Sequence, residues 1–126
     1  MKKEKRKKGV LWSKQSLYTT VDGFEVLMDS TWEVALAKKL DELGIKWVRD
    51  ESMILEYKTV RGRKRKYIPD FYLPDFKLYV EVKGYWTDAA RHKMKDVVER
   101  NQVDILVLES LNDIADVHQL LSSRNN

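Results

Sequence analysis

Apolar residues recur along the chain at two spacings, and each spacing predicts a different kind of element. The first spacing is three or four residues, that of one helix face, and its clearest members are Trp32, Leu36, Leu40 and Leu43. Ser30, three residues before Glu33, predicts a capping box at the start of this helix, and Gly44 predicts its end. The second spacing is every other residue, which predicts a strand at 78–83 with one apolar face.

Turn residues, helix caps and further apolar runs predict the other elements. Asp22-Gly23 predicts a hairpin turn, and Pro69 should interrupt the strand that contains it. Thr87 and Ser110 predict the starts of two more helices. Further strands are expected in a hairpin within 16–28 and at 45–48, 53–60, 67–73 and 105–108, the last one buried on both faces.

The order of these elements predicts an α/β fold in which a central mixed β-sheet is flanked by helices. The strand, helix and strand within 78–108 form a βαβ unit, so these two strands should be parallel and their crossover right-handed. The chain has 126 residues, the size of one ordinary domain. We expect a flexible basic arm at 1–15 and a single domain at 16–126.

Composition excludes several classes of protein. There are no cysteines, so the chain has neither a disulfide framework nor a cysteine-based zinc site. Its two histidines, His92 and His118, are too few and too far apart to indicate a histidine-rich metal site. No apolar run reaches the length of a membrane span, and the charged N-terminus lacks the pattern of a signal peptide. We therefore expect a soluble, cytoplasmic protein with no membrane partner.

Positive charge is concentrated in two segments of the chain. Residues 1–8 contain six basic residues and one acidic residue. A second run adds five basic residues, which are Arg61, Arg63, Lys64, Arg65 and Lys66. The rest of the chain has 13 basic and 19 acidic residues and is therefore negative. Localised basicity of this kind predicts a polyanionic partner, most often nucleic acid, although a terminal basic run also fits a solubilising tail.

Two carboxylates and a lysine form the candidate catalytic group. Glu81 and Lys83 are two residues apart on a predicted strand, so they should share its polar face. Asp70 lies among apolar residues, where desolvation would raise its pKa unless a partner stabilises the charge. Carboxylates that converge in this way suit Mg²⁺, which can polarise a phosphodiester and activate a water molecule. Lys83 could orient or deprotonate that water, or neutralise charge that develops on phosphorus.

Each of these residues also has a purely structural interpretation. Glu81 and Lys83 could be an ion pair on a solvent-facing strand, and Asp70 could be a strand-end residue after Pro69. Glu33, as the fourth residue of a capping box, could simply accept a hydrogen bond from the backbone at the start of its helix. Asp70 together with the pair Glu81 and Lys83, at this spacing, is much more specific than either feature alone.

That combination carries a family resemblance. Pro69-Asp70, ten further residues and then Glu81-Val82-Lys83 match the motif of the PD-(D/E)xK nuclease superfamily. Within it, the chain resembles the phage endonuclease I family of Holliday junction resolvases at four segments, which are 30–33 (STWE), 40–47 (LDELGIKW), 67–74 (YIPDFYLP) and 80–86 (VEVKGYW). The similarity covers roughly residues 28–108. The same core is similar to very-short-patch-repair-like nickases, to homing nucleases and to endonucleases of transposition.

The resemblance implies a restriction-endonuclease-like core and a Mg²⁺-dependent endonuclease that cleaves DNA, with Mn²⁺ as a substitute cation. Asp70, Glu81 and Glu33 would bind the metal, and Lys83 would assist the attacking water. DNA contacts are expected from the basic residues near the motif, which are Arg61, Arg63, Lys64, Arg65, Lys66, Arg91 and Lys93. A resolvase would act as a homodimer, because a four-way junction presents two equivalent strands.

Four functions stay open at this point. Structure-selective cleavage of branched DNA is the first, and site-specific nicking, homing or transposition-type cleavage is the second. A nucleic-acid-binding module without catalysis is a third, although a binder gains nothing from carboxylates buried beside a phosphate. A small RNA-binding protein is a fourth, but the negative charge outside the basic segments does not favour it.

Overall fold

Three small β-sheets and four α-helices make up the part of the chain that the computed structural model describes, residues 15–50 and 52–124. The predicted α/β class is therefore confirmed. The expected basic arm at 1–15 lies outside the described residues except for Gln15. None of the helices described is long and apolar enough to cross a membrane.

The helices and strands follow one another in an order close to the predicted one. Their bounds are β1 Ser16–Thr19, β2 Glu25–Met28, α1 Thr31–Glu42, β3 Leu55–Lys58, β4 Lys64–Tyr67, β5 Phe71–Leu73, β6 Leu78–Val82, α2 Asp88–Asn101, β7 Ile105–Leu108, α3 Leu111–Ala115 and α4 Val117–Arg124. Strands β1 and β2 form one antiparallel hairpin, and β3 and β4 form another. The third sheet is mixed, because β6 pairs antiparallel with β5 and parallel with β7.

The helix starts are those that the sequence predicts. The hydroxyls of Ser30, Thr87 and Ser110 each accept a hydrogen bond from a backbone N–H three residues later, at 3.0 to 3.2 Å. Such caps satisfy N–H groups that have no partner inside the helix. Gly44, with φ +71°, follows the end of α1 as expected. The predicted last helix is two helices, α3 and α4, because the chain leaves helical geometry at Asp116.

Three predicted strands differ in the structure. The segment 45–48 contributes only one isolated bridge, between Val48 and Tyr72. The predicted strand 67–73 is interrupted around Pro69, as expected, but its halves β4 and β5 belong to different sheets. Strand β7 packs against a hydrophobic core on each face, Leu106 and Leu108 on one and Ile105 and Val107 on the other, but only Leu108 is fully buried.

The main hydrophobic core lies between α1, the mixed sheet and the two C-terminal helices. Its fully buried members include Met28, Leu36, Leu40, Phe71, Leu73, Val80, Leu108, Val117 and Leu121. Glu33 lies three residues before Leu36 and therefore on the same face of α1. The core thus turns this glutamate toward the mixed sheet, and only 7% of its surface is exposed.

Helix α2 covers the outer edge of β3 with polar side chains. Asn101 bonds to both backbone groups of Glu56, accepting from its N–H at 3.4 Å and donating to its carbonyl at 2.7 Å. At Lys58 the N–H donates to Asp96 at 2.8 Å, and the carbonyl accepts from Nε2 of His92 at 2.9 Å. Four backbone groups that face away from β4 are therefore satisfied, which fixes the β3–β4 hairpin to the helix.

Candidate active site

The two carboxylates of the sequence motif lie side by side at one end of the mixed sheet. Phe71 pairs with Val80 across β5 and β6, so the preceding Asp70 lies next to Glu81. The backbone N–H of Val82 donates a 2.8 Å hydrogen bond to Oδ2 of Asp70. This bond holds the Asp70 carboxylate against β6, as the spacing of the motif predicts.

Glu33 reaches the same place from the first turn of α1. Its Oε1 accepts a 2.8 Å hydrogen bond from the backbone N–H of Asp29 and lies 2.9 Å from Nη2 of Arg49. The capping box is therefore only half formed, because the carboxylate bonds to the residue before Ser30 and not to Ser30 itself. Glu33 therefore keeps a structural role at the start of α1, because it accepts from the Asp29 N–H and pairs with Arg49.

Arg49 is the residue at this site that the sequence did not reveal. Its guanidinium donates to the backbone carbonyl of Asp70 at 3.0 Å and contacts the Asp29 carboxylate at 3.2 Å, in addition to Glu33. It also lies 5.7 Å from the centre of the Phe71 ring. Arg49 joins the start of α1 to the segment before β5. No motif marks Arg49, since it is a single arginine in an irregular segment that is distant in sequence from both of the elements it joins.

Glu81 is held by a different set of residues. Its Oε1 accepts a hydrogen bond from the hydroxyl of Tyr67, the last residue of β4. The ammonium group of Lys93 lies 4.8 Å from the centre of the Tyr67 ring. Burial raises the pKa of Glu81, and the hydroxyl of Tyr67 and the positive charges of Lys93 and Lys83 oppose this rise.

The three carboxylates are linked electrostatically. The pKa of Glu33 is raised to about 7, first by burial and then by the negative charge of Asp70, while the positive charge of Arg49 opposes the rise. Burial also raises the pKa of Asp70 to about 7, followed by the charge of Glu81, while the Val82 N–H and Arg49 oppose. The pKa of Glu81 is raised by burial and by Glu33, against Tyr67, Lys93 and Lys83. A further positive charge placed among them would therefore be stabilised.

Asp70 and Glu81 are the residues that could hold a hard divalent cation. Among the described residues, no group of three or more histidine, aspartate or glutamate side chains has the arrangement of a metal site. Mg²⁺ needs only one or two protein carboxylates, because waters and substrate phosphates supply its other ligands. The hydrogen bonds within the described residues use one oxygen of each carboxylate, Oδ2 of Asp70 and Oε1 of Glu81. Metal binding by Asp70, Glu81 and Glu33 stays a prediction, and Arg49 already contacts Oε1 of Glu33.

Lys83 follows directly after β6 at the edge of the carboxylate group. Its backbone N–H donates to the carbonyl of Leu108 at 2.9 Å, which extends the pairing of β6 with β7 by one residue. Its ammonium group lies 5.7 Å from the centre of the Trp86 ring. Lys83 therefore lies beside Glu81, as its position two residues further along the chain predicts.

The basic run 61–66 falls between the predicted strands 53–60 and 67–73, where a loop is expected, but only part of it is a loop. Arg61 and Arg63 lie in the exposed turn between β3 and β4, but Lys64–Lys66 belong to β4 itself. Arg65 pairs with Tyr57, and directly paired residues lie on the same face of a hairpin. Arg65 is thus on the face of Tyr67, which points to the carboxylates, whereas Lys64 and Lys66 are on the opposite face.

The two basic residues of α2 have different environments. Arg91 is exposed, and its guanidinium lies 3.7 Å from the Asp88 carboxylate. Lys93, expected on the DNA surface, is partly buried above the rings of Tyr67 and Tyr57. Burial lowers its pKa, and the negative charge of Glu81 opposes this. Lys93 is therefore part of the site and not of an outer helix face.

The site thus combines two adjacent carboxylates, a third one bound to arginine, and two lysines. Comparisons with protein-family models, with curated proteins and with solved structures gave no match to this chain. The assignment of a function therefore depends on these residues and on their resemblance to the nuclease motif.

Proposed function

We propose that this protein is a Mg²⁺-dependent DNA endonuclease that hydrolyses phosphodiester bonds. The observation that carries the proposal is the pair of adjacent carboxylates, Asp70 and Glu81, fixed by hydrogen bonds at the end of the mixed sheet. Burial raises both pKa values, to which the charge of Glu81 adds at Asp70 and the charge of Glu33 adds at Glu81, so a bound cation would be stabilised here. The spacing of Asp70, Glu81 and Lys83 also resembles the PD-(D/E)xK motif.

In this proposal Asp70 and Glu81 hold the cation, and Mn²⁺ can replace Mg²⁺. The cation supplies Lewis-acid chemistry, which polarises the phosphodiester and makes a water molecule more acidic. Lys83 orients or deprotonates the attacking water, or neutralises charge that develops on the phosphate. Glu33 completes the negative group, and Arg49 keeps it in place through its contacts with Asp29 and the Asp70 carbonyl.

The proposed DNA surface surrounds this group on the side of the β3–β4 hairpin. Arg61, Arg63 and Arg65 are exposed, and Arg65 lies on the hairpin face that carries Tyr67. Positive side chains next to a negative catalytic group would bind the flanking phosphates of the strand and hold the scissile phosphate over the cation.

Branched DNA is the substrate that the resemblance to junction resolvases favours, with a homodimer cutting two equivalent strands. Site-specific nicking, as in the related nickases and homing nucleases, is the alternative within the same chemistry. A monomer is sufficient for a nick, so the oligomeric state on DNA helps to separate the two.

A binding module without catalysis is the second candidate, and one observation favours it. Arg49 contacts Asp29 and Glu33 and lies 3.9 Å from Oδ1 of Asp70, so part of the negative charge is compensated without a cation. A module of this kind would bind DNA equally well with Mg²⁺ and with EDTA and would never cleave it.

Supercoiled plasmid distinguishes the two candidates. Incubation with Mg²⁺ should give nicked or linear DNA, and EDTA should prevent this. Asp70→Asn should be inactive, which excludes a contaminating nuclease, and Asp88→Asn, which changes an exposed aspartate of α2, should be fully active. A four-way junction compared with a linear duplex of the same sequence then tests the branched-DNA preference. Equal, metal-independent binding without cleavage would reject the endonuclease.

A further inference from the structure

A cavity of about 280 Å³ lies between the turn end of the β3–β4 hairpin and the first two turns of α2. The hairpin contributes Tyr57, Thr59 and Val60, and α2 contributes small residues, His92 and Lys93. Val60 is 75% exposed and therefore lies at the rim. The residues described around the cavity include no carboxylate, in contrast to the site next to it.

Lys93 and two tyrosines connect this cavity to the carboxylates. The ammonium group of Lys93 lies 5.7 Å from the ring centre of Tyr57, which lines the cavity, and 4.8 Å from that of Tyr67. The hydroxyl of Tyr67 in turn bonds to Glu81. Only one tyrosine side chain therefore separates the cavity from the proposed cation site.

The size and the lining of the cavity indicate its ligand. Its volume of about 280 Å³ lies just below the range of about 300–1,000 Å³ that is usual for small-molecule pockets, so it fits one nucleotide and nothing much larger. Tyr57 offers an aromatic ring for stacking, and Lys93 offers a positive charge for a phosphate. His92 forms a fixed part of the wall, because its Nε2 is held by the carbonyl of Lys58.

We propose that this cavity binds a single deoxynucleotide of the strand to be cut, with its base stacked on Tyr57 and its phosphate facing Lys93. The assignment rests on the proposed endonuclease function, since it is the neighbouring phosphodiester that would then lie over Asp70 and Glu81. A base can enter such a cavity only when it is unstacked, and unstacking is easiest at branched or unpaired positions. The cavity would thus favour the junction over the intact duplex.

Amide chemical shifts of the ¹⁵N-labelled protein with dAMP test the cavity without any need for cleavage. dAMP should shift the amides of the cavity residues in a saturable way, and inorganic phosphate should shift them far less. Tyr57→Ala should weaken dAMP binding by about five- to 150-fold, the range that stacking on one aromatic ring supplies. Tyr85→Ala, which removes a 79% exposed tyrosine outside the cavity, should leave it unchanged.

Ala89→Phe provides a second variant that keeps the core intact, because Ala89 is exposed at the cavity wall. It should fill the cavity and abolish the dAMP shifts while the melting temperature stays the same. Unchanged dAMP binding in Ala89→Phe, or phosphate shifts equal to those of dAMP, would overturn the proposal. A short oligodeoxynucleotide should bind more tightly than dAMP, and equal affinity would contradict a site for a DNA strand.

The two proposals fail in different ways. Mg²⁺-dependent plasmid cleavage without dAMP shifts would reject the nucleotide cavity and leave the endonuclease standing. Saturable dAMP shifts without any cleavage, with Mg²⁺ or Mn²⁺, would reject the endonuclease. The cavity would then be a nucleotide-binding site that has no part in DNA cleavage.

Discussion

The backbone N–H of Val82 donates a 2.8 Å hydrogen bond to the carboxylate of Asp70, twelve residues earlier in the chain. A bond of this kind fixes the side chain whether or not a cation is present. An asparagine at position 70 can accept the same bond through its amide oxygen, so the charge can be removed without loss of the contact. Glu81 has the same property, since a glutamine can accept from the hydroxyl of Tyr67.

Asp70→Asn and Glu81→Gln should each abolish cleavage while the protein folds normally. DNA binding should survive or become tighter, because one negative charge that faces phosphate is removed. Cleavage of plasmid with Mg²⁺ and binding of a labelled duplex in EDTA measure the two effects separately. If either variant cleaves at the wild-type rate with Mg²⁺ limiting, these carboxylates do not hold the cation.

Lys83→Ala should reduce the cleavage rate by at least about 10²-fold, the lower end of what a positioned acid–base group contributes. Lys83→Arg should restore only part of the rate, because a guanidinium cannot be deprotonated and has a different reach. Single-turnover rates at saturating DNA give the comparison, with Lys95→Ala on the exposed face of α2 as the control. Near-normal activity in Lys83→Ala would leave Lys83 with only its contact to Trp86.

Glu33→Gln separates the structural and catalytic roles of Glu33. The glutamine can still accept from the N–H of Asp29 but loses the ion pair with Arg49. Since the pKa of Glu33 is raised to about 7, the neutral side chain resembles the protonated form, and the melting temperature at mildly acidic pH should not change. Cleavage should be nearly eliminated. Full activity in this variant would remove Glu33 from the catalytic group.

In the absence of divalent cations, stability should fall as the pH rises through about 7. The folded-state pKa values of Glu33 and Asp70 are both raised to about 7, above their ordinary values, so folding favours their protonated forms. This preference stabilises the folded state fully below the pKa values of the unfolded chain. The stabilisation is lost as the pH rises through the folded-state pKa values. Asp70→Asn should show a smaller fall than the wild type.

Melting temperatures between about pH 5 and pH 8 check this dependence, and the difference between wild type and variant removes the effect of other groups. Mg²⁺ should raise the wild-type melting temperature at the upper end of this range, because a ligand bound only by the folded state stabilises it. It should have little effect on Asp70→Asn. Parallel pH curves for the two proteins would contradict the coupling of these carboxylates.

Arg65→Ala should weaken binding to all DNA sequences alike. If Arg65 touches one phosphate, the slope of log K against log salt should become shallower by about 0.9. Lys64→Ala is the matched control, because it removes the same charge from the neighbouring residue on the opposite face of the hairpin. Equal effects of the two substitutions would show that the face of the hairpin does not matter for DNA binding.

Local signals in the sequence were sufficient for much of the fold. Ser30, Thr87 and Ser110 mark helix starts because a hydroxyl cap acts over three residues. The adjacency of Asp70 and Glu81 follows from two strands joined by a short turn, which restricts the pairing to one arrangement. The position of β7 at the edge of its sheet depends on how all the strands pair, and no local pattern in the sequence specifies this pairing.

At the site, too, some residues are brought into place by tertiary packing and not by a local signal in the sequence. Arg49 and Lys93 reach the carboxylates through tertiary packing, since one lies in an irregular segment and the other on a helix that contacts β3. Lys93 was assigned to the DNA surface because it is a basic residue of the helix that follows the motif. The run 61–66 was expected to form a loop, because it joins two predicted strands, and its five cations repel one another. Its pairing with β3, including Glu56 opposite Lys66, offsets this repulsion.

The contacts between α2 and β3 have a consequence for how copies of this protein meet. A strand edge with free N–H and C=O groups is a template on which a strand of another molecule can add, and such edges drive aggregation. At Glu56 and Lys58 the outward groups are already bonded to helix side chains. A second copy therefore cannot add a strand along β3, and a dimer must use a surface other than this edge.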